Sequence, residues 1–399
     1  MSKLLTSRTR AQADWTCNRK RWWNYNYNGH GVVPEATAVE LYIGTALHDG
    51  LAAIAHQHQA YSKRPESIEL CCPINLLQER VLSQTHGVDI DLIASTAFKQ
   101  VSEALLGNDK SWEGMKFAYE QAALTEGLLR GYFRAVWPKL ISEYPKIVAI
   151  EKEIIYEHDD KGKPNPNGGF DFVCIPDLVL ANDNGNVYIE YKSTSSKKDQ
   201  WINAWNNAIQ VHATAWAIQQ TSGTKIQHTI VQGLYKGYEA YGKLSSPMCY
   251  AYHKAGNPPF VKEEFSYEYK AGFKKVPTWE LDGGVKRWVE NMPDDVLAEQ
   301  FPQTPPIFID EALVERYFSQ RAKREKTVNA HVLYLEGADE AETVEVMDEI
   351  FPQNFDACNP GWGRPCQYRQ LCFGGKCDPL KRGFRLRDER HSREKVDGI

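Results

Sequence analysis

The sequence predicts an α/β fold, in which a small mixed sheet is flanked by helices, with a helical N-terminal region and a C-terminal cysteine segment. Helical periodicity dominates to about residue 145. Extended runs then surround one helix in the order β-β-β-α-β-β, which is typical of α/β and α+β proteins. Near residue 360, Cys, Gly and Pro crowd together as they do in ligand loops.

Each element is predicted from its own periodicity and its flanking turn residues. The predicted elements are, in order, helices over 36–57 and 117–137, an extended run over 146–159, strands over 170–181 and 187–193, a Trp-rich helix over 199–221, strands over 225–237 and 248–254, and a helix over 310–332. Five regions follow: a mainly helical region carrying Cys17 and His48 (1–145), a sheet core (146–254), a helical or irregular extension (255–355), a cysteine segment (356–378) and a basic mobile tail (379–399).

Composition excludes several classes of protein. With 42% apolar and 25% charged residues, the chain has the balance of a globular protein, and 399 residues allow two average domains or one elaborated core. No apolar run of about 18 residues predicts a membrane span. The N-terminus lacks the apolar centre of a signal peptide, which predicts a cytoplasmic location. A net charge of −5 does not by itself indicate a nucleic-acid binder, so any such site is local.

The strands around Asn184-Gly185 predict a hairpin with three charged side chains on one face. Asn-Gly is the strongest signal for a two-residue type I′ turn. With that turn, Asp177 lies directly opposite Lys192, and Glu190 is the diagonal neighbour of Asp177, with Cβ atoms roughly 5 to 8 Å apart. Two carboxylates and an ammonium at this spacing suit one cation. The alternative is a solvated hairpin face with a cross-strand Asp–Lys ion pair.

Two helical residues and a cation run add to this pattern. His48 stands four residues after Gly44 on a predicted helix, and Gln210 lies on the helix after the hairpin. Each alone is more typical of a surface or core residue. The run Arg19, Lys20, Arg21 is followed by two tryptophans, and basic residues interleaved with aromatics suit phosphate contact and base stacking. The alternative is a solvated charge run flanking core tryptophans.

Nine cysteines in a cytoplasmic chain favour metal ligation or buried thiols over disulfides. Four of them, in mostly apolar stretches, are predicted to be small buried hydrophobes: Cys71, Cys72, Cys174 and Cys249. The others are Cys17, which precedes the cation run, and the C-terminal set of Cys358, Cys366, Cys372 and Cys377. Structural zinc sites favour close pairs with two to four intervening residues, and no such pair opens this set. Neighbouring aromatic residues would shield an iron–sulfur cluster.

Taken in order, these features resemble the PD-(D/E)xK nuclease superfamily, in particular its RecB/AddB-type branch with an iron–sulfur cluster. The chain is similar in this respect to CRISPR-associated exonucleases and phage-encoded relatives. The resemblance spans most of residues 10–375. It rests on Cys17, a G-x3-H helix (Gly44, His48), "PD" (Asp177), "EYK" (Glu190, Lys192), a helix glutamine (Gln210) and the C-terminal cysteines.

The resemblance implies a restriction-endonuclease-like core over 146–254. It implies that His48, Asp177 and Glu190 bind Mg²⁺ or Mn²⁺, that Lys192 orients or activates the attacking water, and that Gln210 supports the site. It also implies a 4Fe–4S cluster held by Cys17, Cys358, Cys366 and Cys372, with Cys377 as the alternative fourth ligand and zinc as the alternative metal. Arg19, Lys20 and Arg21 are then the predicted DNA contacts.

Two departures from the family pattern stand out, and one residue competes for a ligand role. The usual close C-x2-C pair is absent, with Gly363 where its first cysteine would fall and Cys358 in its place. The family tends to carry Tyr four residues after the glutamine, where this chain has Thr214. Asp171 competes with Asp177 as the ligand, but it would pair far beyond the strand in the predicted register, so Asp177 is preferred.

The implied function is a metal-dependent DNA exonuclease that hydrolyses phosphodiester bonds at single-stranded ends, in recombination, repair or phage DNA metabolism. Its expected setting is the cytoplasm of a bacterium or a phage-infected host, with DNA and a recombination or helicase protein as partners and no membrane. One alternative is a structure- or site-specific endonuclease. Another is a non-catalytic DNA-binding or assembly subunit with a zinc or iron–sulfur site.

Overall fold

The computed structural model describes residues 3–35, 39–63, 87–106, 112–194, 198–205, 208–236, 284–290, 294–337, 347–358, 365–373 and 378–388. The strands are β1 Leu4–Thr6, β2 Val32–Pro34, β3 Lys146–Ile150, β4 Ile154–His158, β5 Phe170–Cys174, β6 Leu178–Asn182, β7 Gly185–Thr194, β8 Ile226–Tyr235 and β9 Phe384–Leu386. The helices are α1 Arg8–Thr16, α2 Asn18–Arg21, α3 Val39–Ser62, α4 Ile90–Leu106, α5 Trp112–Ala135, α6 Trp137–Glu143, α7 Lys198–Asn203, α8 Ile209–Ser222, α9 Gly284–Glu290, α10 Asp294–Ala298, α11 Glu311–Gly337, α12 Phe355–Cys358 and α13 Arg369–Phe373. The predicted mixed α/β fold is confirmed.

A four-stranded sheet with the order β3-β6-β7-β8 lies at the centre. β3 and β6 pair antiparallel, as do β6 and β7, whereas β7 and β8 are parallel. A parallel pair needs a crossover connection, and α7 and α8 provide it. β7 is therefore an interior strand. Its aromatic and β-branched residues suit this position, because such residues pack well between two buried faces.

Helices cover both faces of this sheet. On one face, Leu178, Leu180 and Ile189 join a large core built with residues of α3 to α6. On the other face, Val179 and Tyr188 pack against α8 in a smaller apolar cluster. The alternation of side chains along a strand separates these two sets. A hairpin with one solvated face, the alternative considered above, is therefore excluded by the structure.

α8 is packed between two sheets. Its Ala215 and Ile218 face the four-stranded sheet, and Ala213 and Trp216 face a three-stranded sheet with the order β1-β5-β4. A helix that contacts partners on opposite sides is apolar around most of its circumference, which explains its composition. The helix ends at Gly223, whose φ of 68° is the left-handed conformation that glycine adopts most readily at a helix C-terminus.

Three predicted elements are corrected. The strand predicted over 170–181 is two strands in different sheets, broken around Pro176, which has no N–H to donate to a ladder. The helix predicted over 199–221 is likewise two helices, α7 and α8. The strand predicted over 248–254 lies outside the described residues. β1 and β2 were not predicted, because three residues are too few to show a periodicity.

The C-terminal part contributes to the fold in two places. Residues 300–307 run beside β8, with bridges from Thr229 to Ile307 and from Gln232 to Gln303. Part of the predicted extension (255–355) thus lies against the sheet core. β9 pairs antiparallel with β2, so that residues 379–388, predicted as mobile, form defined structure.

A buried group of charged residues, the ion network, joins α1 and α2 to α11. Arg21 Nη1 lies 2.9 Å from Glu325 Oε1, and Arg321 Nη2 lies 2.5 Å from the same oxygen. Arg321 and Arg324 also reach Asp14, at 3.1 and 2.9 Å. Burial raises the pKa of Glu325, but Arg21 and Arg321 lower it by a larger amount, so the net shift of this pKa is downward.

Among the helices that the structure describes, none combines the length and the apolar composition of a membrane span.

Candidate active site

The hairpin has a different register from the predicted one. Leu178 pairs with Ile189 and Asn182 with Gly185, so the strands are shifted by two residues relative to the prediction. Extended by one residue, this register places Glu190 opposite Asp177, with Lys192 as the diagonal neighbour. A shift of two residues keeps every side chain on its face, because the side-chain period of a strand is two. The three charged residues therefore still share a face.

Asp177 precedes β6 and is held by two neighbours. The backbone N–H of Tyr191 donates to Asp177 Oδ2 at 2.6 Å. His48 Nδ1, from the middle of α3, lies 3.2 Å from Asp177 Oδ1. The His48 side chain keeps 31% of its surface exposed, against 13% for Asp177, so the pair faces an open side of the molecule. The structure thus brings together two predicted ligands that are 129 positions apart in the sequence.

Glu190 lies in β7 and is 2% exposed. Its carboxylate accepts hydrogen bonds from the Tyr188 hydroxyl, the Gln210 side-chain amide and the Lys192 ammonium. Gln210 projects from the first turn of α8, which places it beside the sheet. The other side-chain atom of Gln210, Oε1, is buried and has no hydrogen-bond partner among the described residues. A buried acceptor without a donor is costly, and a water molecule or substrate group would satisfy it.

Glu151 was missed by the sequence reasoning. Ligand atoms of His48, Glu151 and Asp177 all lie within 4.8 Å of one another. Glu151 follows β3 with a φ of 42°, and its N–H donates to the Asp177 carbonyl at 3.1 Å. A non-glycine residue in this left-handed region costs about 1 to 3 kcal/mol and is enriched at functional sites. A local backbone reversal of this kind leaves no periodic signal, since Glu151 sits among other charged residues.

Arg8 is a second missed residue. It opens α1, whose N-terminus is capped by the Ser7 side chain, which accepts from Arg10 N at 3.4 Å. One turn later, Ala11 is fully buried in the cluster that α8 and α11 share. Burial lowers the pKa of Arg8, and the nearby charge of Glu190 opposes that shift. Within the described part of the chain, the Arg8 guanidinium hydrogen-bonds to no carboxylate.

The electrostatics of the site favour a bound cation. Burial raises the pKa of Glu190, and Lys192 only partly offsets this effect. Burial, together with the charge of Asp177, also raises the pKa of Glu151. Burial lowers the pKa of His48, but its contact with Asp177 raises it more, so the net shift is upward. Both effects are expected at a cation site. Carboxylates that repel one another are stabilised by a bound cation, and a cation that binds the histidine displaces its proton.

The geometry of the ligand atoms fits Mg²⁺ or Mn²⁺. Octahedral Mg²⁺ with bonds of about 2.1 Å separates neighbouring ligand atoms by about 3.0 Å and opposite ones by about 4.2 Å. His48 Nδ1 and Asp177 Oδ1 are 3.2 Å apart, which is about the separation of neighbouring ligands in such a shell, and Glu151 offers a third ligand atom close by. Oxygen-rich ligand sets select such hard cations. Glu190 stands outside this group of three and engages Lys192 and Gln210 instead.

The predicted cysteine ligands from the two ends of the chain come together. Cys17 and Cys358 are buried, and the backbone N–H of Asn354 donates to Cys17 Sγ at 3.3 Å. Burial, then Cys366 and Cys17, raise the pKa of the Cys358 thiol. Burial also raises the pKa of Cys372 to about 11, with contributions from Cys358 and Cys366. The four thiols are thus electrostatic neighbours. Cys377 lies outside the described residues.

Zinc is the alternative to the predicted cluster at these four cysteines. Tetrahedral zinc with bonds of about 2.3 Å needs sulfurs about 3.8 Å apart. Cys17, Cys358, Cys366 and Cys372 are all described, and no three of their sulfurs lie within 4.8 Å of one another. A cluster places iron and sulfide between its thiolates and therefore needs a wider site than a single ion does.

The predicted DNA contacts at Arg19 and Arg21 are corrected by the structure. Arg21 is 1% exposed and bonded to Glu325 in the ion network. Arg19 is buried and donates to the Phe351 and Met347 carbonyls at 2.8 and 2.9 Å. Neither guanidinium is available to phosphate, because protein acceptors occupy both. Lys20 is half-buried between them.

The structure also locates Asp171 and Gly44, two residues that the sequence singles out. Asp171 lies in β5 of the three-stranded sheet, 3.6 Å from the Lys3 ammonium, and does not join the site. A Cβ built on Gly44 meets no atom within 4 Å, so this glycine does not serve close packing against the sheet. Gly50 does serve close packing, since a Cβ there would lie 2.6 Å from Leu129. Gly44 instead leaves open space one turn before His48.

Comparison with known families supports the chemistry of this site. Residues 6–373 match the PD-(D/E)XK nuclease superfamily. Comparison with curated proteins found no match. The matched range covers most of the chain and includes Cys17, Cys372 and all of the hairpin that carries Asp177 and Glu190. The chain therefore belongs to the PD-(D/E)XK nuclease superfamily and is a metal-dependent, phosphodiester-hydrolysing nuclease.

Proposed function

We propose that the protein is a DNA exonuclease of the RecB/AddB-type iron–sulfur branch, acting at single-stranded ends in recombination, repair or phage DNA metabolism. The observation that carries the proposal is the convergence of His48 and Asp177 with the Glu190–Lys192 pair of an interior strand. The neighbouring cysteines from both chain ends support the iron–sulfur branch. A recombination or helicase protein is the proposed partner.

In this proposal, His48, Glu151 and Asp177 hold the cation, and Glu190 is the fourth ligand, which requires its carboxylate to turn from Lys192 and Gln210 toward that group. A bound Mg²⁺ or Mn²⁺ supplies charge neutralisation at phosphorus and lowers the pKa of a coordinated water. The Lys192 ammonium contacts the Glu190 carboxylate. From this position it can stabilise negative charge on the phosphoryl oxygens of the substrate. Gln210 fixes Glu190 through its amide, and its unpartnered Oε1 can accept a hydrogen bond from the attacking water.

The decisive experiment is digestion of end-labelled linear DNA beside circular DNA, each single- or double-stranded, with Mg²⁺ or Mn²⁺. Release of the label from linear single strands, with circles intact, is the expected result. Linearised circles would identify a structure- or site-specific endonuclease. Binding without cleavage of any substrate would identify the non-catalytic subunit, which the intact Asp177, Glu190 and Lys192 set argues against.

For the cysteine segment, we propose a 4Fe–4S cluster held by Cys17, Cys358, Cys366 and Cys372. Cys17→Ala is expected to remove most of the iron and the brown colour of anaerobically purified protein. Proteolysis is then expected to cut first in 356–378, because the ion network still holds α1 and α2 to α11. The measurements are iron content, visible absorbance and limited proteolysis.

The matched control for this variant is Cys174→Ala. Cys174 lies in β5, apart from the proposed ligands, and its replacement should leave iron at the wild-type level. Full iron in Cys17→Ala, together with lost iron in Cys377→Ala, would transfer the fourth ligand to Cys377. Zinc in place of iron in the wild type would contradict the cluster itself.

Arg8 is the proposed phosphate contact in place of Arg19 and Arg21. Arg8→Ala is expected to lower kcat/KM on single-stranded DNA by about 10- to 100-fold, since hydrogen bonds to charged groups contribute about 1.5 to 3 kcal/mol. Arg8→Lys should recover part of this loss. The control is Arg316→Ala, an exposed arginine on α11 whose loss should change nothing. An Arg8→Ala enzyme with wild-type kinetics would remove Arg8 from the site.

A further inference from the structure

Two phenylalanines near the cysteine segment are exposed side by side. Phe355, in α12, keeps 66% of its surface accessible, and Phe373, at the end of α13, keeps 55%. Their ring centroids lie 6.1 Å apart with an angle of 49° between the ring planes. Buried aromatic pairs stabilise a core, but a pair with more than half of each side chain in water contributes little to folding. The exposed faces are open to a planar ligand.

One arginine lies beside this pair, and a second lines the adjoining depression. The Arg369 guanidinium lies 6.0 Å from the centroid of the Phe373 ring, and no carboxylate among the described residues pairs with it. An open depression of about 520 Å³ beside it is lined by Arg369, Arg382 and Phe373, among others. Among the described residues, the lining of this depression includes two arginines and no carboxylate, so the depression is positive on a chain whose net charge is −5.

This combination fits one class of ligand. Unpaired bases stack on aromatic side chains, and the phosphates between them pair with arginine. A duplex hides its base faces, so a stacking surface selects single strands. A protein partner with acidic and aromatic side chains would also suit this surface, and binding of a single-stranded oligonucleotide distinguishes the two ligands.

We propose that Phe355, Phe373 and Arg369 form a base-stacking surface for single-stranded nucleic acid, separate from the residues that bind the metal ion. This inference rests on the proposed function, because it concerns how the DNA substrate is held. Phe355 and Phe373 stack on bases, Arg369 contacts an adjacent phosphate, and Arg382 also lines the depression. This surface would bind the single strand while the residues at the metal site cleave it.

The test is binding of a fluorescent oligothymidine to the anaerobically purified, full-length protein in EDTA, where cleavage cannot occur. Stacking contributes about 1 to 3 kcal/mol per base, so Phe355→Ala/Phe373→Ala should weaken binding by about 5-fold or more. Arg369→Gln should weaken it and reduce the salt slope by roughly 0.7. Phe308→Ala and Arg316→Gln are the matched controls. Phe308 is as exposed as the proposed stacking residues, at 68%, but it lies beside His228, outside the proposed surface. Arg316 is an exposed arginine on α11.

An abasic oligonucleotide of the same length separates stacking from charge. The double phenylalanine variant should bind it as the wild type does, whereas Arg369→Gln should bind it more weakly. Equal binding of oligothymidine by the double variant and the wild type would overturn the proposal and leave a protein partner as the occupant. Failure of the wild type to bind oligothymidine would overturn it as well. Cleavage is measured separately, so binding that depends on the phenylalanines without any nuclease activity would refute the proposed function and not this surface.

Discussion

Glu190→Gln is expected to lower DNA cleavage by about 10²- to 10³-fold or more while the fold is retained. Loss of one charged ligand at a metal centre removes several kcal/mol of transition-state stabilisation, and each 1.36 kcal/mol is tenfold in rate. Glutamine keeps the shape of the side chain and can still accept from Tyr188. The measurement is the single-turnover rate on end-labelled single-stranded DNA with saturating Mg²⁺.

Stability provides the second readout for this variant. Burial raises the pKa of Glu190, which means that its charged form opposes folding at neutral pH. Without divalent cations, Glu190→Gln should therefore unfold at the same temperature as the wild type or at a higher one. Asp171→Asn is the matched control, because Asp171 was the rival of Asp177 and lies in the other sheet. Near wild-type cleavage by Glu190→Gln would show that the metal-site assignment is wrong.

Glu325→Gln is expected to destabilise the protein by about 3 to 5 kcal/mol. The substitution leaves Arg21 and Arg321 buried without their counter-charge, and breaking a buried ion pair in this way is costly. Typical domains are stable by about 5 to 15 kcal/mol, so the loss is a large fraction. Denaturant unfolding at pH 7 measures it. Glu315→Gln on the same helix is the control, since its pair with Lys163 is largely exposed and is expected to contribute less than about 1 kcal/mol.

The same variant has a defined pH dependence. The pKa of Glu325 lies below its ordinary value of 4.5, so its contribution to stability is present above that pH and is lost as the pH falls through the lower folded value. The difference between wild type and Glu325→Gln should be largest above pH 4.5 and should shrink below it. A difference that grows on acidification would contradict the ion network as the cause.

The sequence predicted the hairpin of Asp177 and Glu190 because its signals are local. Alternation and a turn residue place Asp177, Glu190 and Lys192 on one face, and this survived a wrong register because the error was an even number of residues. The turn itself was misplaced by one residue, since the loop is residues 183–184 and Gly185 begins β7. Local patterns constrain which face a side chain occupies better than they constrain its partner.

Long-range packing decided what the sequence could not predict. Arg19 and Arg21 have the composition of a DNA-binding run, but their acceptors, such as Glu325 and the Phe351 carbonyl, lie more than 300 residues away. Glu151 reaches the site through a single left-handed backbone conformation. Nothing in the neighbouring residues indicates either outcome, because both depend on contacts formed only in the complete fold.

The pairing of early with late segments sets an order of events during protein synthesis. Arg21 and Glu325 are separated by 304 positions, and translation at about 5 to 20 residues per second spaces them by about 15 to 60 s. Throughout that interval the arginines of α2 remain hydrated, and α1 has no α11 to pack against. The hairpin and α3 leave the ribosome well before then. The nascent chain therefore contains Asp177 and His48 before α11 is available to pack against α1, which carries Arg8. Full nuclease activity should therefore arise late, once the last helices have been released.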